Sequence, residues 1–85
     1  MRPMPVPSNI SAQLSKIDEQ MITLLDERVN LCQKALEEDE NAFNAATQAE
    51  MITAWEEAAD EHGLNMAVMN HLCKLVMKLC QASGE

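Results

Sequence analysis

The apolar residues Ile10, Leu14, Ile17, Met21, Leu24, Leu31 and Ala35 recur three, four or seven positions apart, the spacing that gathers side chains on one stripe of an α-helix. Leu25, Cys32 and Leu36 widen the stripe on one flank. The pattern predicts a first helix that begins near Ile10 and reaches about Glu38, on the order of 40 Å long. A compact monomer of 85 residues is only about 30 Å across. One end of such a helix should protrude unless a second chain covers it, which points to an intertwined helical dimer.

Where the rhythm asks for an apolar residue at position 28, the chain has an arginine. An unpaired guanidinium in a dry core is very costly, so three readings stay open. Arg28 can pair with Asp18, Glu27 or an acid on another helix, or snorkel to the surface. It can be a polar seam residue that fixes register or dimer choice. Or it can be a clamp, since its planar fork matches a carboxylate.

The rest of the chain reads as helix too. Phe43 and Trp55 are the only aromatic residues, so the core must come from Leu, Ile, Val, Met, Ala and Cys, which suits helix packing better than strand packing. The fold class is all-α, with three helices of unequal length. Ser8 or Asn9 can cap the first helix. A second, over residues 43–61, offers Phe43, Ala46, Ala49, Ile52, Trp55 and Ala59 to a core. Gly63 can take the left-handed conformation that closes it, and Asn65 can cap a third helix over residues 66–81. In that helix Met69, Leu72, Cys73, Val76, Met77, Leu79 and Cys80 oppose Asn70, His71, Lys74 and Lys78, a solvated edge. Residues 1–8, with three prolines, form a flexible arm; residues 9–82 form a single domain; residues 83–85 are a flexible tail.

The net charge of −8 gathers at "EEDE" (residues 37–40) and "EEAADE" (residues 56–61), which disfavours nucleic-acid and anionic-membrane partners. No apolar run approaches the roughly 20 residues of a membrane span. Cys32, Cys73 and Cys80 read as small buried hydrophobes with free thiols, which fits a cytoplasmic location. Their spacing matches no common ligand grammar, so no metal and no cofactor is expected.

The stretch "LSKIDEQMITLLDERVNLCQKA", residues 14–35, strongly resembles the first helix of the all-helical (AroQ) chorismate mutases, with Ile17, Asp18, Leu24, Leu25, Glu27 and Arg28 in the expected places. A second stretch, "AWEEAADEHGLNMAVMNHLCKLVMKLC" (residues 54–80), is similar to that family's second-helix end, turn and third helix. The resemblance implies a three-helix protomer in an intertwined homodimer, connected with aromatic amino acid biosynthesis. It also implies that Arg28 grips a substrate carboxylate in a pocket where chorismate rearranges to prephenate. That rearrangement needs no nucleophile, only a substrate held compact and donors at the ether oxygen.

Most of the clamp for a dianion is replaced. Positions where the resemblance implies cations carry Ser11, Asp39 and Thr47, and Gln48 stands where a glutamate is expected. Near the third-helix end the polar groups are Cys80 and Gln81. Between Lys34 and Lys74 there is no lysine or arginine at all. The candidate ligand-binding residues are therefore Arg28, Gln48, Cys80 and Gln81, in a degenerate anion site that suits a neutral or singly charged ligand. The leading expectation is a mutase-like dimer with little or no mutase activity, acting on a partner protein or another small ligand. The alternative is an active mutase or isochorismate pyruvate-lyase with a pocket rebuilt around Arg28.

Overall fold

In a computed structural model of the chain, which describes residues 7–83, three helices follow in order: α1 (Ser8–Glu38), α2 (Ala45–Glu61) and α3 (Met66–Ser83). The described residues contain no strand, as the all-α reading requires. Residues 1–6 of the expected arm and 84–85 of the expected tail lie outside the described residues.

Local chemistry sets the helix ends. α1 begins at Ser8, two residues before the expected start, with Pro7 as its N-cap and no side-chain cap hydrogen bond. Neither Ser8 nor Asn9 caps it. Pro7 holds φ at −52°, a value its ring imposes, and its carbonyl accepts from Ser11 N–H at 2.9 Å to close the first turn. At the other end Asp39 turns extended, and its carboxylate accepts from Asn41 N–H at 2.9 Å, a local turn that competes with further helix. α2 starts at Ala45, later than the periodicity predicts, because Asn44 Oδ1 accepts from Thr47 N–H at 2.9 Å and fixes the N-cap there.

The turn between α2 and α3 follows the sequence closely. Gly63 has φ +71°; Leu64 N–H reaches Ala59 O at 2.7 Å and Gly63 N–H reaches Asp60 O at 3.1 Å, the pair of bonds that closes a helix on a left-handed glycine. Asn65 Oδ1 then accepts from Val68 N–H at 2.9 Å to cap α3.

α3 packs against both α2 and α1. The buried residues are Ala59 of α2, Cys73, Val76 and Cys80 of α3, and Cys32 of α1. Asn70 Nδ2 of α3 donates to Glu56 Oε2 of α2 at 2.8 Å, a half-buried polar tie between the same two helices.

Within the protomer, α1 turns inward mainly the flank of its apolar stripe. Leu25, Arg28, Val29, Cys32 and Leu36 are buried or half-buried, whereas Leu24 is 61% and Leu31 68% exposed. Ile10, Leu14, Ile17 and Met21 are exposed as well. The flank, with Arg28 and Ala35, thus supplies the contacts within the protomer, and the row Ile10, Leu14, Ile17, Met21, Leu24 and Leu31 stays exposed. Ala46 and Ala49 of α2 and Leu72 and Leu79 of α3, expected in the core, are also exposed. The long dimension is 48 Å and the radius of gyration 16.0 Å, above the roughly 12 Å of a compact chain this size, so α1 protrudes as its length demands.

Cys32 and Cys80 form a disulfide with a Cα–Cα separation of 6.4 Å, and Cys73 is the free, buried cysteine. This corrects the reading of three free thiols. Periodicity placed both residues on inward faces, but only the crossing of α1 and α3 brings those faces together.

The disulfide closes a loop with a sequence separation of 48, for which the chain-entropy relation gives about 4 kcal/mol of stabilisation. Urea unfolding of the oxidised protein should therefore show about 4 kcal/mol more stability than the same protein under dithiothreitol or a Cys32→Ala variant. Equal midpoints with and without reductant would show that the bridge does not form.

Candidate functional site

Three helices meet around a recess of about 150 Å³, the space that holds a benzene-sized molecule. Arg28, Cys32 and Leu36 of α1 face it at intervals of four residues, Gln48 and Met51 come from the start of α2, and Met77, Cys80 and Gln81 from the end of α3. Glu40 and Phe43, from the loop between α1 and α2, complete the lining. All four ligand-binding candidates read from the sequence, Arg28, Gln48, Cys80 and Gln81, thus border one recess.

Arg28 is half-buried. Its Nη2 donates to Met51 Sδ at 3.8 Å, a weak acceptor. Among the described residues no carboxylate comes within the 4.0 Å of an ion pair with it. Neither Asp18 nor Glu27 takes the role the first reading of the arginine required. The guanidinium therefore keeps most of its donor capacity at the recess.

The other polar members behave differently from their expected roles. Gln48 Nε2 donates to Phe43 O at 2.6 Å; because a carbonyl only accepts, this contact fixes the amide orientation and leaves Oε1 as an acceptor. Cys80 has no thiol to donate, since its sulfur is bonded to Cys32. Gln81 is exposed at the rim. The three replaced positions do not line the recess: Ser11 lies on the exposed first part of α1, Asp39 is the α1 C-cap, and Thr47 sits in the first turn of α2. Glu40, one residue beyond Asp39, is the acid that faces it. Lys34, Lys74 and Lys78 are exposed and take no part.

Sequence reasoning missed Cys32, Leu36, Glu40, Phe43, Met51 and Met77. Cys32 and Leu36 lie four and eight residues beyond Arg28, Met51 three beyond Gln48 and Met77 four before Gln81, so same-face helical spacing finds all four. Glu40 and Phe43 lie between helices, where no periodicity applies.

On the far side of Arg28 an open apolar groove of about 750 Å³ runs between α1 and the other two helices, lined by Met21, Leu24, Leu25, Trp55, Met69 and Leu72. Arg28 borders both spaces. Beneath it, Cys73 is fully inaccessible. Burial pushes its thiol pKa up; the Arg28 charge partly offsets this, and Glu56 adds to it.

A helical protomer with one arginine at the junction of its three helices and an apolar groove beside it belongs to the class of all-α helical-bundle proteins. A family model for chorismate mutase type II matches residues 10–84, and the chain belongs to that family. No curated protein and no solved structure matches it.

The Cys73 thiol is kept neutral in the folded state, while in the unfolded chain it ionises near its ordinary value of 9.0. Its contribution to stability is therefore intact below pH 9.0 and falls as pH rises above it. The unfolding free energy of the wild type should drop more steeply above that pH than that of Cys73→Ala, measured by urea titration. Parallel pH profiles would remove the thiol as the cause.

Proposed function

We propose that the protein is a chorismate-mutase-type homodimer whose recess binds a small ligand through one carboxylate, with little or no chorismate rearrangement. The observation that carries this reading is the Arg28 guanidinium, bordering the recess and without a carboxylate partner among the described residues. A recess sealed by an internal ion pair would instead favour a role confined to protein contacts.

A carboxylate on Arg28 would make charge-assisted bonds worth about 1.5–3 kcal/mol. A second carboxylate on the same ligand would find no second lysine or arginine in the lining and would face Glu40. The ether oxygen of chorismate would likewise lack a cationic donor. Because removing one charge-stabilising donor costs about 10²–10³ in rate, the combined replacements leave the compact conformer without the field that lowers its barrier. No cofactor or metal enters this reading.

The dimer rests on separate grounds. The exposed row Ile10, Leu14, Ile17, Met21, Leu24 and Leu31 lies along one side of α1, and the groove that ends at Arg28 is apolar along its length. Laying the α1 of a second copy against this surface would bury both and place the partner's first turns near the recess. No helix of the described residues is long and apolar enough to cross a membrane.

Purified protein should consume chorismate at a rate at least about 10⁴-fold below that expected of a complete clamp, and Arg28→Ala should change that rate little. Small aliphatic or aromatic acids should bind the wild type and lose about tenfold or more in affinity with Arg28→Ala. Rapid turnover abolished by Arg28→Ala would instead establish the active-enzyme alternative, with the product deciding between mutase and lyase. Sedimentation equilibrium should give twice the chain mass, and Leu24→Glu should shift the protein toward monomer. A wild type that stays monomeric at high concentration would defeat the dimer.

A further inference from the structure

The recess has two opposite charges in its lining. Arg28 comes from α1 and Glu40 from the loop that follows it, yet the two make no ion pair with each other among the described residues. They border a common space while staying apart. Gln48, with one amide proton given to Phe43 O, adds a carbonyl oxygen as a second acceptor. Apart from Gln81, which is exposed at the rim, the polar lining thus pairs one strong donor with two acceptors, whereas a site for a dianion requires donors throughout.

We infer that the recess selects a small zwitterion, its carboxylate on Arg28 and its ammonium toward Glu40 and the Gln48 carbonyl oxygen, with an apolar body against Phe43, Met51 and Met77. This deepens the proposed function and rests on its carboxylate contact. An α-amino acid has the matching chemistry: one carboxylate, one ammonium and a side chain no larger than a single ring. The volume of 150 Å³ accommodates a body of about benzene size. A simple carboxylic acid would leave Glu40 unmatched, and a simple amine would leave the guanidinium unmatched, so neither uses the whole lining. A dianion places its second charge beside Glu40 and is rejected, which is specificity through repulsion as well as attraction.

The test is isothermal titration calorimetry at pH 7 on the oxidised full chain. The probes are L-leucine and L-phenylalanine, covering a branched chain and a ring. Each is compared with its counterpart lacking the ammonium group, 4-methylpentanoate or 3-phenylpropanoate. The two amines without the carboxylate, 3-methylbutylamine and 2-phenylethylamine, complete the set. At least one amino acid should bind about tenfold or more tightly than both its acid and its amine. In Glu40→Gln that preference over the acid should fall to about one, with the acid binding as well as before or better. Circular dichroism should show the variant's helices unchanged, since Glu40 is exposed and outside every helix. If the acids bind the wild type as tightly as the amino acids and lose affinity in Arg28→Ala, the zwitterion inference is overturned and the carboxylate pocket stands. If neither acid nor amino acid binds the folded protein, both fall.

Discussion

The 31 residues of α1 span about 46 Å at a rise of about 1.5 Å per residue, while the 17 residues of α2 and 18 of α3 make rods of only about 26 and 27 Å. The two short helices, packed side by side, can flank little more than half of the long one. They take its C-terminal half, where Leu25, Arg28, Val29, Cys32 and Leu36 find partners. The N-terminal half is left in solvent with its apolar row intact. The location of the recess follows from this mismatch in length: it is the place where all three helices come together.

Arg28 stands where the covered half of α1 meets the uncovered half, bordering both the recess between the three helices and the larger apolar groove. This position resolves the conflict that its charge poses in an apolar stripe. The guanidinium is half-buried, so it gives up part of its hydration without entering a dry core, and the desolvation cost that would force an internal ion pair is not incurred in full. The same partial burial leaves its donors available. A fully buried arginine would need a carboxylate from the chain, and a fully exposed one would be screened by solvent and hold a ligand weakly.

The sequence was most legible where local chemistry decides the structure. Gly63 and Asn65 announced their turn because a left-handed residue and an N-cap are properties of single residues and their immediate neighbours. Helix existence followed from periodicity. The direction each helix faces did not, because Leu24 and Leu25, or Leu31 and Cys32, are adjacent in sequence and differ only in which neighbour they meet. The α1 stripe includes both members of each pair, and periodicity does not say which of them packs within the protomer. The disulfide was missed for a related reason: the Cys32–Cys80 pair depends on how α1 and α3 cross, which periodicity within either helix does not encode. The cytoplasmic expectation loses the support that free thiols gave it, since disulfides persist mainly in oxidising compartments. Of the site, the arginine and both glutamines were legible from the family resemblance, while Glu40 lay in a loop whose alignment offered Asp39 instead.

Family membership and family chemistry rest on different residues of this chain. The match over residues 10–84 spans the packing residues and turns that build the fold, and these tolerate any charge at positions that touch only solvent or the recess. Catalysis of a unimolecular rearrangement depends instead on the field inside the recess, because without a nucleophile or a proton transfer to supply, positioning and charge are all the protein contributes. The helical framework is indifferent to the sign of residue 40: Glu40 is exposed, lies between α1 and α2, and supports neither helix. On the proposed reading the recess is not indifferent, since a negative charge in its lining repels a second anionic group. In the proposed reading, a single loop side chain redirects what the pocket accepts at almost no cost to folding, because the residues that build the fold and those that set the field in the recess are different ones.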